Sequence, residues 1–132
     1  MRLTPHPGPF RLSLGERGET AACVFLKDHG YKILEKNYKC KLGEIDVIAR
    51  RQGRLAFIEI KTRTNAQFGT PQEAVDLRKQ EKIFKVAQWY LKEKKILKFP
   101  IAFDVVAILW REGQPPEMRL IADAFEKEDK PC

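Results

Sequence analysis

The chain has 132 residues, and 25 Lys and Arg against 18 Asp and Glu give it a net charge of +7 and a pI near 9.4. This length supports one domain with a real hydrophobic core and is too short for two. No apolar run approaches membrane-spanning length, which argues against an integral membrane protein. The excess of positive charge favours an anionic partner, above all nucleic acid.

Composition also predicts how the chain is organised. Residues 1–12 are rich in proline and lack the apolar core of a signal peptide, so we expect a flexible arm there, then one domain over 13–125 and a charged tail over 126–132. The cysteines Cys23, Cys40 and Cys132 are odd in number and lack metal-ligand spacing. We therefore expect free thiols and a cytoplasmic location. The two histidines, His6 and His29, are isolated and form no catalytic set.

The first predicted helix begins at Ser13, which forms a capping box with Glu16, and ends at Gly30. Its apolar stripe consists of Gly18, Ala21, Ala22, Phe25 and Leu26. A glycine on that stripe predicts a close approach to the sheet. Glu19 lies beside the stripe and is a candidate site residue, although an acid in the first turn of a helix also interacts favourably with the helix dipole.

A strand over 31–38 precedes a predicted hairpin, in which runs 45–49 and 55–60 flank the turn 51–54. With a loop of two or four residues, Asp46 faces Glu59 and Glu44 faces Lys61. Opposed like charges destabilise a strand pair, so the two facing carboxylates suggest a divalent cation between them. A solvated surface hairpin with an ion pair is the alternative interpretation.

The faces of this hairpin fix its register, because a one-residue slip would move every acid into the core. One face is apolar and is predicted to be buried, with Ile45, Val47, Ala49, Ala56, Ile58 and Ile60. The other face carries Ile48 and Phe57 at one end, and at the other end Glu44, Asp46, Glu59 and Lys61.

A second helix is predicted to start at Thr70-Pro71-Gln72-Glu73, with Asp76 as a second possible start. Its apolar stripe consists of Leu77, Gln80, Ile83, Phe84, Ala87, Tyr90 and Leu91. Lysines and arginines lie largely off this stripe, which is typical of a solvated helix face. A strand over 101–109 and a last strand near 118–121 complete an α/β fold, a mixed sheet flanked by helices.

The order of elements, with an acid entering the hairpin and Glu-x-Lys on its second strand, resembles the PD-(D/E)xK nuclease superfamily. Restriction endonucleases and archaeal Holliday-junction resolvases share this αβββαβ core. The likeness is closer to the YraN-like family of small bacterial proteins that are predicted to be endonucleases. The matching strings are GERGETAA, NYKCKLGEIDVIA, FIEIKTR, FGTPQEAVDLRKQ and FDVV. One departure is Ala102 before the FDVV string, where these relatives commonly have arginine.

The resemblance implies roles for individual residues. Asp46 and Glu59 match the acids that hold Mg²⁺ or Mn²⁺, and Glu19 matches the acid on the first helix that often completes the metal site. Lys61 matches the motif lysine that positions water and neutralises phosphate charge. Lys79 on the second helix and Arg63 in FIEIKTR are the candidate nucleic-acid contacts.

The residue types suit this chemistry, because hard divalent ions prefer oxygen ligands, and the Ile60 carbonyl is a further candidate ligand. We therefore expect a metal-dependent endonuclease acting on DNA rather than RNA, with branched or structured DNA among its candidate substrates. We expect no membrane partner, and a second copy of the chain, in a homodimer, is a candidate partner. One alternative is a nucleic-acid-binding protein of the same fold without turnover. A second is a structural protein whose acids pair with neighbouring lysines.

Overall fold

The structure, a computed structural model, describes residues 13–64 and 75–126. Two helices and five strands follow one another in these ranges. They are α1 (Leu14–Asp28), β1 (Lys32–Cys40), β2 (Gly43–Arg51), β3 (Arg54–Arg63), α2 (Leu77–Glu93), β4 (Ile101–Leu109) and β5 (Glu117–Phe125). The predicted arm over 1–12 and nearly all of the predicted tail lie outside the described residues.

The five strands form one mixed sheet in the order β1-β2-β3-β4-β5. Consecutive strands joined by turns pair antiparallel, whereas β3 and β4 run parallel because the chain returns through α2 between them. Helix α1 packs on one face of the sheet and α2 on the other. The predicted α/β class and the flanked mixed sheet are confirmed.

Helix α1 forms as its sequence predicts. The Ser13 amide donates to Glu16 Oε1 at 2.8 Å and the Glu16 amide donates to Ser13 Oγ at 3.1 Å, which is the capping box. After the helix, Gly30 has a φ of 89°, a conformation in which a side chain is strained. A Cβ at Gly18 would overlap Thr62 Oγ1 of β3, so the predicted close approach of helix and sheet is confirmed.

The β2–β3 hairpin has a two-residue loop, Gln52-Gly53, with φ values of 52° and 74°. Positive φ at both central positions is the geometry of a type I′ turn, whose twist matches that of the flanking strands. Pairing runs from Arg51–Arg54 to Val47–Ile58, which is the predicted register. Continued by one more pair, this register sets Asp46 opposite Glu59, but the observed ladder ends before that pair.

Both faces of the sheet are buried. The face under α1 holds Val47, Ala49, Ala56 and Ile58, as predicted, with Ile60 packed against them. The prediction for Ile45 is wrong, because it packs in the other cluster with Ile48, Phe57 and α2. Residues 45 and 47 would share a face in a regular strand, so alternation is interrupted at Asp46. On the neighbouring strand, Asn37 has a φ of 51° between Tyr38 and Lys36, which pair with Ile45 and Val47.

Helix α2 begins at Leu77, and Asp76 Oδ1 accepts a hydrogen bond from the Lys79 amide at 2.9 Å as its N-cap. The earlier start predicted at residues 70–73 lies outside the described residues. Most of the predicted stripe is buried or half-buried, but Leu77 is 79% exposed, so its assignment to the stripe is wrong. Val86 is fully buried, although the sequence did not place it on the stripe. It packs at the edge of the stripe beside Gly43, the first residue of β2.

Two further expectations concern the chain as a whole. Neither described helix is long and apolar enough to cross a membrane. Cys23 is buried and Cys40 half-buried, and both are free thiols; Cys132 lies outside the described residues. The cytoplasmic location stays a prediction.

Candidate active site

The candidate site lies where β2 and β3 stop pairing. At this point Asp46 Oδ2 accepts a hydrogen bond from the Ile60 amide at 2.8 Å. The side chain thus takes a main-chain donor of β3 just beyond the last ladder pair, Val47–Ile58. A main-chain amide positions a carboxylate more firmly than a mobile side chain would, because its direction is set by the strand.

Glu59 is buried, with 7% of its surface exposed, and its carboxylate contacts α2. Lys79 Nζ lies 2.9 Å from Glu59 Oε2 and keeps about half of its own side chain exposed. Because the Asp76 cap fixes the first turn of α2, it also fixes where the Lys79 side chain starts. The alternative interpretation of the hairpin, a surface ion pair in contact with solvent, is therefore wrong for Glu59, because this side chain is buried.

The two acids interact with each other. The pKa of Asp46 is raised to about 7. Burial is the largest cause, the charge of Glu59 and a hydrogen bond with its side chain act in the same direction, and the Ile60 amide and Lys79 oppose the shift. The hydrogen bond to Glu59 raises the pKa of Lys79. One ammonium group therefore faces two carboxyl groups, a negative excess that a second cation would neutralise.

Glu19 reaches the same region from α1. It lines a cavity of about 350 Å³ together with Asp46, Asn37 and Lys36. Burial raises the pKa of the Glu19 carboxyl, as does the charge of Asp46, while a hydrogen bond with the Asn37 side chain lowers it. Glu19 and Asp46 therefore line the same cavity, and the charges of their carboxyl groups interact.

Asn37 was not among the predicted site residues. It interrupts the alternating pattern of β1 and adopts a positive φ, which asparagine tolerates better than most residues. Its side chain contacts Glu19 and lines the cavity beside Asp46. A polar, turn-favouring residue inside a strand pattern was the signal that could have revealed it.

Glu16 has the different role that its position predicts. Its carboxylate caps Ser13, and hydrogen bonds from the Ser13 backbone and hydroxyl lower its pKa. It lies on the rim of the cavity that Glu19 and Asp46 share. Its role in the cap of α1 alone accounts for a glutamate at this position.

Lys61 and Arg63 follow Glu59 on β3. Lys61 is exposed and its backbone pairs with Ala107 of β4; among the described residues it forms no ion pair. The β2–β3 ladder ends before Glu44 and Lys61, so the predicted pairing of these two residues is not part of it; on its other side Glu44 pairs with Lys39 of β1. Arg63 is half-buried at the end of β3, where its carbonyl accepts a hydrogen bond from the Trp110 amide at 2.8 Å.

The donor set fits a hard cation. Within the two described ranges, no group of three His, Cys, Asp or Glu side chains is arranged to hold a metal. Asp46 and Glu59 nevertheless form a carboxyl pair, and Mg²⁺ is commonly held by one or two carboxylates with several waters retained. The high pKa of Asp46 indicates an acid pair that lacks full charge compensation. These residues are therefore suited to Mg²⁺ or Mn²⁺.

Comparison with known proteins gives one consistent family. The model of the uncharacterised protein family UPF0102 matches residues 18–108. A UPF0102 protein of Geotalea uraniireducens is 48% identical over 114 residues, covering 86% of this chain and 90% of its own length. Another, from Caldanaerobacter subterraneus, is 47% identical over 96 residues, covering 73% of this chain and 79% of its own length. One from Clostridium botulinum is 44% identical over 115 residues, covering 86% and 94%.

Proposed function

The chain belongs to the uncharacterised protein family UPF0102, the YraN-like family, and from this membership and the Asp46–Glu59 geometry we propose that it is a metal-dependent DNA endonuclease. Branched or structured DNA would be among its substrates. The names of its relatives give no activity, so the proposal depends on the site. Its main support is that Asp46 is held at the Ile60 amide while its carboxyl meets that of Glu59.

Asp46 and Glu59 would hold Mg²⁺ or Mn²⁺, with Glu19 and the Ile60 carbonyl as further ligands. When bound, such an ion polarises a phosphate and promotes formation of a hydroxide-like nucleophile. Glu19 lines the same cavity as Asp46, so a change of its side-chain conformation would bring a third carboxylate to the site. The partial burial of the acids excludes part of the bulk water and strengthens every electrostatic interaction with the substrate.

Basic residues near the acids would handle the phosphate. Lys61 follows Glu59 by two positions, so both side chains project from the same side of β3. Its exposed ammonium would position the attacking water and stabilise the charge that develops on the phosphate. Lys79 pairs with Glu59 in the metal-free protein and would turn to a substrate phosphate once Glu59 binds the ion. Arg63, farther along β3, would contact the DNA backbone.

The reaction would be a hydrolysis. Water attacks phosphorus, the bond from phosphorus to one ester oxygen breaks, and the departing oxygen takes a proton from solvent. Asp46, Glu59 and Lys61 would supply the groups that this step needs. No covalent bond between protein and substrate forms.

Purified protein incubated with plasmid, single-stranded and junction DNA tests the proposal. We expect cleavage with Mg²⁺ or Mn²⁺, none with EDTA, and a rate at least about 100-fold lower in Asp46→Asn and Glu59→Gln, since each loses one charged ligand. Calorimetry should detect Mn²⁺ binding to the wild type that both variants lose. Equal Mn²⁺ binding by all three proteins would rule out the site.

A second candidate function is nucleic-acid binding without turnover. The Lys79–Glu59 ion pair favours it, because it satisfies one of the two acids without a metal. In that case the protein would bind DNA equally in EDTA and Mg²⁺, and Asp46→Asn would bind as the wild type does. No substrate in the cleavage assay would then be cut under any metal condition.

A further inference from the structure

An open groove lies along the C-terminal half of α2 and the segment that follows it. It has a volume of about 820 Å³ and its apolar lining includes Leu42, Trp89, Ile96 and Leu97. Leu97 is 93% exposed, and Leu42 is 40% exposed.

The charge around this groove has one sign. Lys85, Lys92 and Lys95 line it, and no acidic residue within 13–64 or 75–126 does. Among the described residues, none of these three lysines forms an ion pair. Lys41 contributes a fourth cation, with its Nζ 5.2 Å from the centre of the Trp89 ring. An anionic ligand with an aromatic or apolar part is complementary to this combination.

The groove is continuous with a basic row that starts near the candidate active site. The row is defined by residues spaced alternately four and three apart on α2, namely Arg78, Lys82, Lys85, Trp89 and Lys92. This spacing keeps them on one side of the helix. Arg78 adjoins Lys79, whose ammonium contacts Glu59. At 1.5 Å per residue the row extends about 21 Å, roughly six nucleotides of one DNA strand at 3.4 Å each.

We propose that the Trp89 groove binds an unpaired nucleotide of the DNA substrate, whose base stacks on the Trp89 ring while neighbouring phosphates follow the basic row toward Glu59. Base stacking on aromatic side chains combined with a basic track is how proteins hold single-stranded segments. The inference rests on the proposed function in taking DNA as the substrate. It adds a preference for DNA with unpaired nucleotides about 16 Å from the end of the row near Glu59, which is the rise of α2 between Arg78 and Trp89.

Binding measured by fluorescence anisotropy in EDTA tests this directly. The two probes are a blunt duplex and the same duplex with a single-stranded extension. Trp89→Ala should weaken binding of the extended probe about tenfold, the typical value of one stacked base, and change binding of the blunt probe less than twofold. Equal loss on both probes, or no loss, would overturn the proposal.

Two control variants sharpen the result. Trp110 is the other tryptophan of the chain and lies on the α1 face, where Arg17 covers its ring at 4.8 Å. Trp110→Ala therefore makes the same change outside the groove and should not alter the ratio of the two affinities. The double variant Lys85→Gln/Lys92→Gln should weaken both probes and reduce the salt dependence of binding by about two charges.

A measurement that leaves the groove intact covers the case in which Trp89→Ala fails to fold. In Trp110→Phe, Trp89 is the sole tryptophan, and its fluorescence should be quenched by single-stranded DNA at the concentrations that saturate anisotropy. Quenching by an acidic amphipathic peptide that DNA cannot displace would mean that the groove binds a protein instead, and would overturn the proposal.

Failure of this inference can be told from failure of the proposed function. Binding in EDTA needs no catalysis, so a Trp89-dependent preference without any cleavage would leave the groove assignment standing and remove the nuclease. Cleavage by the wild type with no selective effect of Trp89→Ala would do the reverse.

Discussion

Two carboxyl groups of the same sheet, the half-buried Asp46 and the buried Asp104, have opposite surroundings. Asp104 on β4 is 4% exposed and accepts hydrogen bonds from the Tyr31 hydroxyl at 2.6 Å and the Asp123 amide at 2.8 Å. Arg51 in turn donates to the Tyr31 hydroxyl at 2.8 Å and lies over its ring. Every oxygen of Asp104 thus faces a donor.

Asp46 has one main-chain donor, and on its other side it meets another acid. The contrast distinguishes two uses of a carboxyl group in the sheet. Asp104 is satisfied by the protein alone, which is the expected state of a structural polar group. The negative charge of Asp46 is incompletely compensated, and its pKa is raised to about 7. Groups with perturbed pKa values are concentrated at functional sites. Four predictions test this distinction between a structural and a functional carboxyl group.

The largest expected effect is on cleavage, at the Asp46 end. Lys61→Ala should cut DNA at least about 100-fold more slowly than the wild type, because it removes a charge that acts on the reacting phosphate. Its DNA affinity should stay within a few-fold, since many other lysines and arginines supply general binding. Matched rate and affinity measurements with one oligonucleotide would check this, and full activity in Lys61→Ala would leave this lysine only a structural role.

The second effect is on stability, at the Asp104 end. Asp104→Asn should lower the free energy of unfolding by about 2–3 kcal/mol, because the amide group presents a donor where an acceptor is needed and leaves a buried donor unpaired. Urea unfolding at pH 7 measures it. The comparison between the two carboxyl groups fails if Asp104→Asn is as stable as the wild type.

The third prediction uses pH. Because the folded pKa of Asp46 lies near 7, above its ordinary value of 3.8, the native state binds the proton more tightly than the unfolded state does. Its contribution to stability is therefore full below about pH 4 and is lost as the pH rises through 7. In metal-free protein at pH 8, Asp46→Asn should be more stable than the wild type by about 1–2 kcal/mol, a value reduced for partial exposure and for Lys79.

That difference should disappear as the pH falls toward 4. Thermal unfolding of both proteins in EDTA between pH 4 and pH 8 would check the trend. A constant difference across this range would mean that the Asp46 carboxyl is compensated in the folded protein, and the contrast with Asp104 would then be lost.

The smallest effect separates two acids of α1. Glu19→Gln should weaken Mn²⁺ binding and leave the melting temperature unchanged or raised, because it removes a charge that interacts with Asp46. Glu16→Gln is the matched control: it should lower the melting temperature slightly through the cap at Ser13 and leave Mn²⁺ binding unaltered. Calorimetry and thermal unfolding of both variants distinguish them, and identical behaviour would reject the separate roles.

Local signals in the sequence were enough to predict most of the fold. Ser13 with Glu16, the Gly30 end of α1, and the hairpin with its loop at Gln52-Gly53 all depend on interactions between residues close in sequence. Hairpin register followed from the apolar face, since a slip would have buried acids. The candidate pair Asp46 and Glu59 came from that register, supported by resemblance to a family.

Contacts between distant elements escaped prediction. Ile45 was assigned to the wrong face, because strand alternation assumes a regular backbone and the chain departs from it at Asp46 and Asn37. Leu77 was placed on the buried stripe by helical spacing alone, yet its position in the first turn of α2 leaves it exposed.

The sequence by itself determined the order of the helices and strands, the start of α1 and how the hairpin aligns, because caps, turns and alternation act over a few residues. Only the tertiary structure decided that Lys79 contacts Glu59, that Asn37 contacts Glu19 and that Asp46 takes the Ile60 amide. Those contacts depend on how α1 and α2 cross the sheet, and helix placement is set by the packing of both cores together.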